Sequence, residues 1–219
     1  MEQNAEGEAL NTADVVDLEH HENDEGHDHD HEGHDHDHEG HDHGDLDGDP
    51  HIWLDPTNLM SVADAVADQL AEIDPDHAER YHANAKDLTA DLRKLDDEFT
   101  AGLQQCEREV IVVAHEAFGY LAERYGLDQV GIGGLDPDAE PSPERVAEVH
   151  DVVEAEGVTT IFYERLVSPK VAETIAGDLG VDTAVLDPIE GRTDETADQD
   201  YFDLMRANLE ALRAANGCD

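Results

Sequence analysis

The sequence predicts an α/β protein, and three patterns lead to that prediction. Apolar segments of strand length alternate with helical segments from about residue 107 to residue 219. A long helical pattern from Pro75 to Gln105 precedes them, and a shorter amphipathic helix from Asn58 to Ile73 comes before that one. Four successive strand–helix units predict a parallel sheet that is covered by helices on both faces.

The first ordered element is expected from Asp49 to Pro56, where the sequence reads DPHIWLDP. Its two prolines restrict the backbone, so this stretch predicts a turn or a short extended piece. The helix that follows has an apolar face formed by Leu59, Val62, Val66, Leu70 and Ile73. That spacing of three and four residues is typical of a helix that packs along one side.

The helix from Pro75 to Gln105 is the longest element that the sequence predicts. Asp74 is its expected N-cap, because it directly precedes a proline and an acidic first turn. At about 1.5 Å per residue the helix would be roughly 45 Å long, which suits a coiled-coil arm or a strut between two lobes. Its apolar stripe is too short for a coiled coil with sustained heptads, and this favours the strut. The stripe consists of Tyr81, Ala85, Leu88, Leu92, Leu95 and Phe99.

The strand–helix units follow this strut. The predicted strands are 109–114, 129–133, 158–163 and 183–186, and the predicted helices are 116–125, 143–156, 168–179 and 201–215. In parallel sheets of this kind, ligands collect beyond the carboxyl ends of the strands. His115, Glu164 and Asp187 directly follow the first, third and fourth strands, so we expect them on one edge of the sheet.

A histidine with two carboxylates suits a divalent cation, and His51 in the DPHIWLDP turn could reach the same place from the other lobe. Each residue alone has a plainer explanation. A single histidine after a strand is more often a packing residue, and an aspartate before a proline usually forms a turn. Their combination beside a histidine-rich tract is what favours a metal site.

That tract lies between His20 and His43 and contains ten histidines interleaved with acids. The segment has few large apolar residues, so residues 1–49 are expected to be disordered, with only Ala13 to Leu18 able to pack. The alternating imidazoles and carboxylates predict auxiliary binding of Zn²⁺, whereas a solvated acidic linker is the alternative. The histidines of the repeated units are His27, His29, His31, His34, His36, His38, His41 and His43.

The composition excludes some partners. The chain has 57 acidic against 12 basic residues, a formal charge of -45, so nucleic acid and anionic lipid surfaces are poor partners. A surface of this charge fits a high-salt environment that screens its self-repulsion. No apolar run is long enough to span a membrane, and Met1 to Leu18 lacks the features of a signal peptide. Cys106 and Cys218, the only cysteines, either pair or are unrelated thiols.

Several segments resemble the zinc- and manganese-binding solute-binding proteins of bacterial and archaeal metal ABC importers. The resemblance covers the chain from about residue 49 onward, and the tract resembles the mobile loop of the zinc-specific branch. The matching segments, in the order of the family, are DPHIWLDPTN (49–58), DPDHAERYHANA (74–85), VVAHEAFGYLAERYGL (112–127), EPSPERVAEV (140–149), IFYERLVSPKVAETIA (161–176) and VLDPI (185–189).

The resemblance implies two βα lobes with parallel sheets, joined by a long rigid helix, and a metal held between the lobes. By this analogy His51, His115 and Asp187 are metal ligands, and Glu164 lines the site behind them. The manganese branch commonly has a carboxylate where this chain has His115, which favours Zn²⁺ over Mn²⁺. The implied partner is a metal ABC permease, and the implied location is the outer face of the cytoplasmic membrane or the periplasm, where the chain would act as a monomer.

Members of the family normally begin with an export signal and about half a lobe that contains one more ligand histidine. We therefore expect an incomplete first lobe, with its remnant at 50–74, the linking helix at 75–105 and the complete βα lobe at 106–219. A truncated gene model, a fragment or a degenerate copy would each explain this. Three of the four expected protein ligands would remain, with water or a tract histidine in the fourth position.

The leading hypothesis is a non-catalytic carrier that captures Zn²⁺ and delivers it to a permease. One alternative is a soluble zinc buffer in which the histidine tract does the binding. The other is a zinc-dependent hydrolase with Glu116 as general base. His115 and Glu116 begin like the HExxH motif of zinc proteases, but Gly119 stands where the second histidine is needed.

Overall fold

The computed structural model describes residues 9–16, 18, 48–135 and 141–219. The strands are β1 (Val110–Val113), β2 (Asp128–Gly131), β3 (Thr160–Tyr163) and β4 (Asp182–Val185). The helices are α1 (Pro56–Ile73), α2 (Ala78–Leu103), α3 (Gly119–Tyr125), α4 (Pro143–Glu156), α5 (Lys170–Leu179) and α6 (Tyr201–Asn216). Three short 3₁₀ turns, Thr12–Asp14, Ile52–Leu54 and Pro75–His77, complete these elements.

The four strands form one parallel sheet in the order β2-β1-β3-β4. Val112 on β1 pairs with Ile161 on β3, and Tyr163 at the end of β3 pairs with Val185 at the end of β4. The segments that leave β1, β3 and β4 therefore emerge at the same edge of the sheet. This confirms the predicted α/β class and the predicted parallel sheet.

Adjacent residues of a strand point to opposite faces of the sheet. Here residues on both faces are buried, so helices cover the sheet on both sides. Ile111, Val113 and Phe162 belong to a core that also contains residues of α2, α3 and α6. Val112 and Ile161 face the other way and pack with residues of α4 and α5. The long helix α2 is thus part of the main core, through Leu95, Phe99 and Leu103.

The long helix begins later than the sequence predicted. Asp74 makes no capping hydrogen bond, since its Oδ2 accepts from His77 Nδ1 at 2.8 Å and from Tyr81 Oη at 2.8 Å. The chain forms a 3₁₀ turn there, and α2 starts at Ala78. By contrast, Asp55 does cap α1, because its carboxylate accepts from Thr57 N at 2.7 Å.

A disulfide joins Cys106 to Cys218, which resolves the pairing that the sequence left open. It connects the segment after α2 to the residues that follow α6. Beside it, the backbone N–H groups of Glu107 and Arg108 donate to Asn216 O at 3.0 and 3.1 Å. The entry to β1 and the end of α6 are therefore fastened together by covalent and hydrogen bonds.

An apolar groove of about 570 Å³ runs between α1, α2 and α6. Its walls include Val66, Leu70 and Leu88, whose large apolar side chains are exposed to solvent. Near one end of α1, Val16 is buried against Ile52 and Tyr120, within the segment that was predicted to be able to pack. Among the described ranges, no helix combines the length and the apolar composition that crossing a membrane needs.

Candidate metal centre

His115 stands at the carboxyl end of the central strand β1 and is 1% exposed. Its Nδ1 contacts the carboxylate of Glu164, which follows β3 and is also buried. The pairing of β1 with β3 brings these two residues together, although they are far apart in the chain. Within the described part of the chain, the buried Nε2 of His115 has no hydrogen-bond partner. A buried polar atom without a partner is costly, so this nitrogen is a candidate ligand.

His51 lies in the turn that precedes α1 and is 3% exposed. Its Nδ1 is 2.6 Å from Asp49 Oδ1, and its backbone N–H donates to the same oxygen at 2.9 Å. Asp49 is fully buried, and its carbonyl oxygen accepts from Tyr120 Oη at 2.9 Å. The carboxylate of Asp49 therefore sets both the backbone and the ring of His51.

The two imidazoles lie edge to face, with an angle of 65° between their planes. Their ring centroids are 5.4 Å apart, and Glu190 completes a group whose ligand atoms lie within 4.8 Å of one another. Glu190 Oε1 is 3.1 Å from His51 Nε2 and 4.0 Å from His115 Nε2. Its side chain is 32% exposed, so the group is accessible to solvent on this side.

The carboxylates behind the imidazoles decide which nitrogen can bind a metal. An ionised carboxylate only accepts hydrogen bonds, so the Nδ1 atoms of His51 and His115 carry the hydrogen. A neutral imidazole in this tautomer has its lone pair on Nε2, and the Nε2 atoms of His51 and His115 lie 3.1 and 4.0 Å from Glu190 Oε1. Metal-binding histidines commonly donate their other ring N–H to a carboxylate in this way, which fixes the ring and raises its basicity.

The pKa of His51 is raised above its usual value of 6.5. Burial alone would lower it, but the hydrogen bond and charge of Asp49 outweigh burial, and Glu190 adds to the effect. Both carboxylates favour a positive charge at this place. The same field that favours a proton on His51 also favours a metal cation between the three side chains.

The structure brings His51 and His115 together but places Asp187 outside their group. Asp187 is buried, and its Oδ1 accepts from Ile189 N at 2.9 Å. Its Oδ2 lies 3.2 Å from Arg165 Nε. The carboxylate that was predicted as a ligand is thus occupied by protein groups, and Glu190 provides the carboxylate that faces the histidines.

Glu190 is the candidate ligand that the sequence analysis did not select. The rule used there selected the residue that directly follows each strand, whereas Glu190 lies further along the loop after β4. An exposed glutamate in a loop of a highly acidic chain has little to distinguish it. The only available indication was a second carboxylate close behind a candidate ligand.

Glu116, the general base of the hydrolase alternative, forms an ion pair with Arg145. Its Oε1 lies 3.5 Å from Arg145 Nη2. The histidines of the tract lie outside the described residues. They are His27, His29, His31, His34, His36, His38, His41 and His43.

Known proteins provide the remaining comparison. Zinc-binding protein AdcA of Streptococcus pyogenes serotype M6 is 44% identical over 167 residues, which are 75% of this chain and 32% of that protein. The high-affinity zinc uptake system protein ZnuA of Bacillus subtilis is 38% identical over 167 residues, which are 75% of this chain and 52% of that protein. The chain thus spans between a third and about half the length of these curated relatives.

The fold of the chain is also similar to that of a solved structure. The crystal structure of the laminin-binding protein Lbp of Streptococcus pyogenes is similar to this chain with a TM-score of 0.72 and 38% identity, over 77% of this chain and 65% of that one. A family model described as zinc-uptake complex component A, periplasmic, matches residues 1–215. The chain therefore belongs to the ZnuA family of zinc-uptake components.

Proposed function

We propose that this chain captures Zn²⁺ outside the cytoplasmic membrane and delivers it to a metal ABC permease, as a non-catalytic substrate-binding component. The observation that carries the proposal is the pair of buried imidazoles, His51 and His115, each held by a carboxylate at Nδ1 and each with its Nε2 near the carboxylate of Glu190. Zn²⁺ is the substrate of such a site. The family and the relatives named for zinc support the same substrate.

The donor atoms of the site favour Zn²⁺ over Mn²⁺ as the bound metal. Two imidazole nitrogens and one carboxylate oxygen, from Glu190, suit the borderline acid Zn²⁺, whereas Mn²⁺ prefers sites richer in oxygen. Three protein ligands leave a fourth tetrahedral position for water or another group. A site with an accessible position can release its metal, which a carrier must do.

The location and the partner rest on the family. A zinc-uptake component described as periplasmic implies a membrane permease as the receiver of the metal. The disulfide between Cys106 and Cys218 is consistent with an oxidising compartment outside the cytoplasm. We infer that the histidine-rich tract supplies weaker sites that raise the local zinc concentration.

Zinc titration of the full chain tests this function. Trp53 is the only tryptophan, and its ring centroid lies 5.3 Å from that of His51, so its fluorescence reports the folded site and not the tract. Competition with a chelator should reveal one tight Zn²⁺ site with much weaker Mn²⁺ binding. The His115→Ala variant should lose the tight site, and His82→Ala, which removes an exposed histidine on α2, should keep it.

The alternatives predict other results. If the Trp53 signal shows no tight site while the chain still binds several zinc ions weakly, the chain is a histidine-rich buffer and the carrier proposal is wrong. A chelator-sensitive hydrolytic activity that requires Glu116 would support the hydrolase instead.

A further inference from the structure

Ile189, the residue before Glu190, has an unusual backbone conformation. Its φ is +60°, and it is the only residue other than glycine with a positive φ in the described part of the chain. A β-branched side chain is unfavourable there, because its Cβ approaches the backbone too closely. Such a conformation persists only where surrounding contacts hold it, and it often occurs at functional sites.

The side chain of Asp187 provides the nearest of these contacts. Its Oδ1 accepts from Ile189 N at 2.9 Å and so closes a turn around Pro188. Asp187 itself is fixed at its backbone, since its N–H donates to Asn208 Oδ1 at 2.8 Å and its carbonyl accepts from Asn208 Nδ2 at 2.7 Å. Asp187 and Asn208 are 5% and 2% exposed, so the turn is anchored to α6 by buried groups.

A second contact connects this turn to the opposite histidine. Trp53 Nε1 donates to Pro188 O at 2.7 Å, and the indole ring lies against the ring of His51. The turn is therefore held from α6 on one side and from the His51 segment on the other. Glu190 follows directly, and its carboxylate reaches both imidazoles.

We propose that Asp187 is a positioning residue for zinc: its carboxylate holds Ile189 in the left-handed conformation that directs Glu190 toward His51 and His115. The proposal rests on the metal site of the proposed function. Without the hydrogen bond from Ile189, the turn relaxes to a negative φ and Glu190 leaves the histidines for solvent. Asp187 then affects zinc without touching it.

This role differs from direct ligation in what each substitution should do. Asparagine at 187 keeps the oxygen that accepts from Ile189 N but is a poor zinc ligand. Glycine at 189 reaches a positive φ without a Cβ penalty, so it makes the contact less necessary. Glu190→Gln removes the group through which Asp187 is proposed to act.

The experiment measures Zn²⁺ affinity by Trp53 fluorescence with a competing chelator, in the full chain. Asp187→Ala should weaken binding by about 10-fold or more, as the loss of an outer partner of a ligand does, and Asp187→Asn should stay within about 3-fold of the unmodified chain. Ile189→Gly should restore most of the affinity when it is combined with Asp187→Ala. In a Glu190→Gln background, Asp187→Ala should cause no further loss.

Direct ligation by Asp187 would overturn the proposal, and it would appear as an equal loss in Asp187→Asn and Asp187→Ala and as an added loss on Glu190→Gln. An unchanged affinity in Asp187→Ala would also overturn it. If Asp187→Ala does not fold by circular dichroism, Asp187→Asn decides, because near-normal affinity supports positioning and a large loss supports ligation. Absence of a tight site in the unmodified chain is a different result, which overturns the proposed function as well.

Discussion

The two histidines of the site have the same local chemistry but different supports. His115 continues the central strand of a sheet that is covered on both faces, and its carboxylate partner Glu164 continues the neighbouring strand. His51 directly precedes the 3₁₀ turn Ile52–Leu54 before α1, and Asp49, its carboxylate partner, lies two residues earlier in the same segment. One half of the site is thus built on the sheet, and the other half is built on a turn.

The turn is held in place by side chains that reach it from elsewhere. Tyr120 donates to Asp49 O at 2.9 Å, Tyr201 donates to Trp53 O at 2.8 Å, and Trp53 donates to Pro188 O. Because these contacts come from separate elements and not from a strand ladder, each should matter more for His51 than any single contact does for His115. The difference teaches that the sheet fixes one candidate ligand, whereas the position of the other depends on side chains that reach the turn from other elements.

Removing either histidine should have the largest effect on zinc affinity. His115→Ala and His51→Ala should each weaken binding by more than the roughly 100-fold that loss of an outer partner can cause. His115→Ala should be the more severe, since it removes the ligand that the sheet holds in place. Isothermal titration against a chelator checks both, and a clearly larger loss in His51→Ala would reverse the comparison.

Replacing the carboxylates behind the histidines should have the next largest effect. Asp49→Asn and Glu164→Gln should each weaken zinc binding by about 10- to 100-fold, because the imidazole becomes less basic and less well oriented. Asp49→Asn should cost more, since Asp49 also accepts from the backbone N–H of His51. Equal losses in the same titration would mean that the turn is as rigid as the sheet.

The pH dependence of zinc affinity should reveal the role of Asp49. Protons compete with zinc for Nε2, so affinity should fall as pH decreases through the pKa of His51, which lies above 6.5. Asp49→Asn should shift this fall to lower pH, because it removes a cause of the raised pKa and leaves burial, which lowers it. Affinities measured between about pH 5 and 8 test this, and an unshifted profile would contradict the role of Asp49.

The contribution of His51 to the stability of the metal-free protein should depend on pH in the opposite sense. A histidine whose folded pKa is raised stabilises the fold fully below its unfolded pKa, and this contribution is lost as pH rises through the folded pKa. Thermal unfolding without zinc should therefore show that Asp49→Asn removes stability at acidic pH more than at neutral pH.

Two tyrosine substitutions test how the segment that carries His51 is held in place. Tyr201→Phe removes the hydrogen bond to Trp53 O, whereas Tyr125→Phe removes a hydrogen bond to Asp96 on α2 at 3.2 Å, which does not involve the His51 segment. Each should lower stability by about 1 kcal/mol. Only Tyr201→Phe should also weaken zinc binding, by a few-fold, because it loosens the segment that carries His51. A similar loss in Tyr125→Phe would point to a general effect of stability.

The disulfide should have the smallest effect on zinc. Its cysteines are 112 residues apart in sequence, and a cross-link of that span stabilises a protein by about 5 kcal/mol in the chain-entropy model. Cys106→Ser combined with Cys218→Ser should lower the unfolding temperature and leave zinc affinity within about 2-fold, because the bond is remote from the site. A marked loss of affinity would show that the end of α6 supports the metal site.

The sequence predicted the parts of this molecule that depend on local pattern. Apolar periodicity located the strands and helices, and the edge rule for parallel sheets selected His115, Glu164 and Asp187. Prediction from the sequence failed where one side chain has several possible hydrogen-bond partners. Asp74 looked like a helix cap, but His77 and Tyr81 take its carboxylate.

Glu190 shows the same limit at the metal site. Whether a loop glutamate faces the histidines depends on the φ of Ile189 and on buried partners of Asp187 that are distant in the chain. No spacing in the sequence records those contacts. Likewise, the approach of His51 to His115 depends on Trp53 reaching Pro188, which only the folded structure reveals.

A crystal structure of the full chain with one equivalent of Zn²⁺, with the metal located by anomalous scattering, tests the central claim most directly. Zinc should bind Nε2 of His51, Nε2 of His115 and a carboxylate oxygen of Glu190, at the distances of about 2.0 to 2.2 Å that are usual for zinc. Zinc bound away from the two histidines, or to Asp187 in place of Glu190, would contradict the account.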